Sequence, residues 1–239
     1  MNEKIKEENM NILNNFIGYG NPCADFWFMG IEEHSIDKNL NMLEEKERFK
    51  IYCKKYNKVQ SPFYLTNEEL SAKMQEEDKK NAKKSKTYEG YIKMYNEILK
   101  NKKQNNFESE NIGTKESKFF ILNLYPLPRA TTNSNYNNFI KEYIYAGTFN
   151  EWKKKYWNER KKYISNFRNN YNPKFIFCFG TSRWNDFEKL FGKFEVIKNS
   201  DNKYFGKFKN KNIFCLHHPT ARKNYFNDDY LKFLKSKIK

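Results

Sequence analysis

KFIFCFGTSRWNDFEKLFG, residues 174–192, changes its period halfway along. From Lys174 to Gly180 it is almost continuously apolar and of strand length, as for a strand buried on both faces. From Thr181 onward Trp184, Phe187 and Leu190 recur three apart, which is the stripe of an amphipathic helix. Thr181 or Ser182 offers an N-cap hydroxyl and Gly192 a stop. A strand that turns at a glycine into a helix is half of a parallel α/β repeat.

The same kind of apolar run occurs three more times, as DFWFMGI (25–31), KFFILNLYPL (118–127) and NIFCLHH (212–218). Helical spacing fills the intervals. In YEGYIKMYNEIL, Tyr88, Tyr91, Ile92, Tyr95, Ile98 and Leu99 share one face; Trp152, Tyr156, Tyr163 and Phe167 mark a helix within 149–170 that Pro173 forbids from continuing; FNDDYLKFLKSKI (226–238) closes the chain. The pattern predicts an α/β fold, a three-layer α/β/α sandwich around a central, mostly parallel four-stranded sheet. A single domain over 1–239 is expected, with a charged helical insertion at about 35–117 holding two or three helices and turns around 79–87 and 101–117.

Lys and Arg number 45 against 29 Asp and Glu, a net charge of +16. That surplus favours a polyanionic partner such as DNA, although a solvated lysine-rich surface would produce it too. The four cysteines, Cys23, Cys53, Cys178 and Cys215, lack C-x-x-C spacing, and two fall inside apolar runs. Buried thiols are expected, not an iron-sulfur cluster. The amino-terminal MNEKIKEENM has no apolar stretch of signal-peptide length and no later run approaches a membrane span, so a monomer in a reducing cytoplasm, with no membrane partner, is the expectation.

In an open parallel sheet, ligands bind at the carboxyl ends of the strands. Those ends carry Glu32, Glu33 and His34; Asn123 to Arg129; Gly180 to Arg183; and His217 to Arg222. All three histidines of the chain fall on that edge. Asn123 interrupts an apolar run, and a buried amide is costly unless the backbone or a ligand satisfies it.

GNPCADFWFMGIEE, FFILNLYPLPR, FIFCFGTSRW and IFCLHHPTAR, in that order, resemble the uracil-DNA glycosylase superfamily over roughly residues 18–34 and 118–235. The resemblance implies a uracil-DNA glycosylase-like fold and a monofunctional DNA glycosylase, a hydrolase of N-glycosyl bonds acting in base excision and DNA repair without a cofactor or metal. His218, before Pro219, matches the residue that donates to the departing base. His217 would point the other way on a strand and serve packing. Asn123 matches the residue that reads the flipped base, with Ile31, Tyr125 and Phe63 as further base-binding candidates. Thr181, Ser182, Arg183, Thr220, Arg222 and Arg129 form a rim for DNA phosphates.

Two departures bear on substrate. Glu32 stands where members carry Asp or Asn, and Glu33 where they usually carry proline, so either carboxylate is a candidate for stabilising the sugar cation and orienting water. The expected substrate is DNA carrying a uracil or other altered or modified base, and together with the insertion these departures are compatible with a base other than plain uracil. Two other readings fit the same residues. One is a catalytically silent DNA-binding module on this fold. The other is a metal-dependent phosphodiesterase using Glu32, Glu33, His34, His217 and His218, although adjacent histidines on a strand diverge and no H-x-H spacing is present.

Overall fold

The computed structural model describes residues 2–31, 42–99, 111–127, 136, 139–201, 203–209, 211–220 and 226–238. The architecture is α/β on a mixed eight-stranded sheet. In chain order the elements are α1 (Glu3–Asn15), β1 (Phe16–Gly20), β2 (Phe26–Gly30), α2 (Met42–Val59), β3 (Phe63–Leu65), α3 (Ala72–Lys84), α4 (Lys86–Leu99), β4 (Phe119–Asn123), α5 (Phe149–Tyr171), β5 (Phe175–Phe179), α6 (Trp184–Phe191), β6 (Phe194–Lys198), β7 (Tyr204–Phe208), β8 (Ile213–Leu216) and α7 (Asp228–Ser236). The chain divides into two compact units, one of residues 1–18, 32–65 and 123–172, the other of 19–31, 66–122 and 173–239.

The second unit contains the strand order β4-β2-β5-β8-β7-β6. β2, β5 and β8 run parallel, with Met29 opposite Cys178 and Phe179 opposite Leu216, while the hairpin β6–β7 joins β8 antiparallel. Side chains alternate across the sheet with the period of two that a strand imposes. Phe26, Phe28, Phe177, Phe179, Phe214 and Leu216 meet Tyr91, Met94 and Tyr95 of α4 and Tyr230, Leu231 and Leu234 of α7 in one core. Trp27, Met29, Ile176, Cys178, Ile213 and Cys215 fill the alternate positions and are also buried. On the Cys215 side lies α6, whose Glu188 charge adds to burial in pushing the Cys215 thiol up. Cover on both faces is why these strands read as unbroken apolar runs; each fully buried Phe contributes about 1.5–3 kcal/mol.

The four apolar runs became β2, β4, β5 and β8, so the strands expected from sequence exist, but the sheet has eight strands where four were expected. The additional strands lack the apolar signature. β3 has three residues, β1 contains Gly18 and Gly20, and β6, the last strand of the sheet, exposes Glu195, Val196 and Lys198. Among the described residues the insertion holds α2, α3, α4 and β3; residues 79–84, expected to turn, continue α3, which ends before Ser85, and most of the turn expected at 101–117 lies outside the described residues.

In the first unit, α1 is capped by the Asn2 side chain, which accepts from Lys4 N–H at 3.0 Å. α5 starts at a capping box in which Thr148 N–H donates to Glu151 at 2.6 Å and Glu151 N–H donates to Thr148 Oγ1 at 3.3 Å. Phe16 stacks on Tyr52 with ring centres 4.5 Å apart, and Phe63 closes the cluster.

Candidate nucleic-acid site

Within the second unit the carboxyl ends of β2, β5 and β8 stand side by side, because the parallel register continues past the strands: Gly180 N–H donates to Leu216 O at 2.9 Å. Ile31, Gly180 with the turn Thr181–Arg183, and the histidine pair therefore share one edge. Gly180 has φ +113°, and a Cβ there would stand 2.4 Å from Ile31 Cδ1. Only glycine meets both conditions. Gly180→Ala should lose about 1–3 kcal/mol, read as a lower urea midpoint at unchanged slope, from left-handed strain and displacement of Ile31.

His217 and His218, just past the end of β8, have different neighbours. His217 is buried, packs edge-on against Tyr204 at 4.8 Å, and brings Nδ1 to 3.4 Å from Thr181 Oγ1. His218 is half-buried. Its Nδ1 lies 2.8 Å from Thr220 Oγ1 and accepts from Thr220 N–H at 3.3 Å. With Thr220 N–H donating to it, Nδ1 carries no proton and the ring hydrogen sits on Nε2; the Oγ1 contact by itself fits either tautomer. The loop thus presets an N–H donor at the end of β8.

The rim residues have local partners as well. Thr181 faces His217, Ser182 is exposed, Arg183 is half-exposed, and the exposed Thr220 is tied to His218. The first helical turn after them is not capped by a Thr181 or Ser182 hydroxyl; Arg183 occupies the N-cap of α6, and 181–183 form a short 3-10 turn. Glu32, Glu33, His34, Arg129 and Arg222 lie outside the described residues.

In the first unit Asn123 ends β4 half-buried, and its side-chain amide makes no hydrogen bond to another described residue. Its carbonyl does: Arg160 Nη2 donates to it at 2.7 Å. Arg160 also donates from Nε to Leu124 O at 3.3 Å and from Nη1 to Asn14 O at 2.8 Å and Phe16 O at 2.6 Å. Burial pushes this guanidinium down to about 9, still charged at neutral pH. Sequence reasoning missed Arg160 because it sits in the lysine-rich NERKKY segment. The signal was its position, four residues after Tyr156 and four before Ile164, on the buried stripe of α5.

The two aromatic candidates for stacking are spent on packing. Tyr125 is 1% exposed, with Phe149, Trp152 and Trp157 centred 4.8, 5.7 and 5.6 Å away. Phe63 is 2% exposed against Phe16, Tyr52 and Tyr56. Among the described residues no group of three or more His, Cys, Asp or Glu is placed to hold a metal ion, and no helix is long and apolar enough to cross a membrane. No protein-family model matches the sequence, and no curated protein does either.

Proposed function

We propose that the protein is a DNA glycosylase of the uracil-DNA glycosylase type, acting as a cytoplasmic monomer on DNA that carries an altered or modified base. The observation that carries this reading is the His218 ring, held just past the end of β8 by Thr220 N–H and Oγ1 at its Nδ1. Breaking the C1′–N bond leaves the electron pair on the base and positive charge on the sugar. Nε2–H of His218 donates to the base carbonyl as that negative charge develops, an interaction worth about 3 kcal/mol when the donor is preorganised. Glu32 or Glu33 faces the sugar cation and orients a water whose oxygen bonds to C1′, and the proton released ends on the departing base.

The resemblance assigns Asn123 the role of reading an extruded base. An amide both donates and accepts, and this one is uncommitted among the described residues while its backbone is clamped by Arg160. Ile31 at the end of β2 supplies an apolar contact. Arg183, Ser182, Thr181, Thr220, Arg222 and Arg129 contribute phosphate contacts, backed by the +16 charge. The different neighbours of His217 and His218 weigh against a metal-dependent phosphodiesterase that needs both rings on one ion.

The test is a panel of oligonucleotides carrying uracil and bulkier modified bases, incubated with the protein and then treated with alkali. Strand breaks at the modified position are expected for at least one member. Intact strands throughout, with DNA binding that weakens steeply as salt rises, would instead identify a silent binding module.

A further inference from the structure

Helix α4 carries a glycine, Gly90, at a buried position five residues in from its start. Glycine is a poor helix former, so its place here calls for a packing reason. A Cβ on Gly90 would stand 2.5 Å from Pro219 Cβ and 3.0 Å from Pro219 Cγ. Pro219 is the residue between His218 and Thr220.

Neither side of that contact can retreat without consequence. On the helix, Tyr91 is 3% exposed, with its ring 4.7 Å from Phe28 and 4.7 Å from Phe179, and Lys93 is paired to Asp228 of α7 at 2.8 Å. On the loop, Thr220 reaches back across Pro219 to His218 Nδ1, and its N–H bond at 3.3 Å is already at the long end of the range. Opening the 2.5 Å approach to an ordinary 3.4–4 Å would break that bond first.

We infer that Gly90 is a positioning residue for His218: by presenting bare backbone, α4 forms the floor on which Pro219 rests, and so fixes the orientation and the Nε2–H tautomer of the imidazole. The helix that the resemblance left without a role thereby becomes part of the catalytic strand end. The inference rests on the glycosylase reading only for what His218 does chemically, not for how it is held.

With three histidines in the chain, ring nitrogen correlations by NMR are assignable above the histidine titration range. Wild type should show His218 as the Nε2–H form. Gly90→Ala should show mixed tautomers at His218, and kcat on the best-cleaved oligonucleotide should fall at least about tenfold while KM stays within about twofold. Glu89→Ala, exposed on the same turn, should change neither reading. An unaltered His218 spectrum in folded Gly90→Ala overturns the inference, whatever the activity. Should wild type cleave nothing, the glycosylase reading falls and the tautomer comparison still decides this one. If Gly90→Ala does not fold, Pro219→Gly removes the contact from the other side; mixed tautomers there support the inference, and an unaltered ring overturns it.

Discussion

Replacing His218 with alanine is expected to lower kcat on a cleavable modified-base oligonucleotide by about two to three orders of magnitude, with little change in KM. Thr220 N–H and Oγ1 both engage Nδ1, so the ring meets the substrate as a fixed neutral donor. Such a donor matters little to the ground-state carbonyl and much to the anion that forms as the bond breaks, which places its contribution in kcat. The parent side chain is half-buried at a strand end, so its removal should leave the thermal transition within about 3 °C of wild type. His217→Ala should do the opposite. That ring fills space against Tyr204, so stability falls while the residual kcat stays closer to wild type. Equal loss of activity in both variants would remove His218 from the donor role; alkali-coupled cleavage assays with calorimetry on each variant separate the cases.

The elements legible in the sequence were those whose environment imposes one pattern. β2, β5 and β8 are covered on both faces, so every position must be apolar, and their runs matched the observed strands to within one or two residues at each end. α5 was bounded by Pro173 and a continuous aromatic stripe. β6 and β7 were illegible because a hairpin at the sheet edge mixes Glu and Lys with Phe, and β3 because three residues show no period. The site divided in the same way. His218 was legible because proline and threonine following a histidine just past a strand end leave few geometries. The stacking ring was not, since Tyr125 and Phe63 look like any exposed aromatic until Trp152, Trp157 and Tyr52 are seen to enclose them. Gly90 and Arg160 were hidden for a shared reason: each meets partners on distant segments, Gly90 at Pro219 and Arg160 at Asn14, Phe16, Asn123 and Leu124, so only tertiary packing reveals them.

Arg160→Met should be the most destabilising single change in the first unit, costing about 3–5 kcal/mol, and should lower Tm by roughly 8–15 °C. Methionine fills similar volume, so the loss isolates the hydrogen bonds. One guanidinium serves the carbonyls of Asn14, Phe16, Asn123 and Leu124, and no water-exposed route replaces it, since Arg160 is 1% exposed. Asn14 lies in the last turn of α1, where helix carbonyls have no partners of their own and the dipole is negative. α1 has no basic residue in that turn, so Arg160 provides the cation from another helix. Arg160→Lys keeps the charge but offers one ammonium in place of a planar fork, and it should recover less than half of the loss. Thermal unfolding of the three proteins gives the order wild type, Lys, Met. A methionine variant as stable as wild type would mean that water reaches those four carbonyls, and that the backbone on either side of Asn123 is held by something other than this side chain.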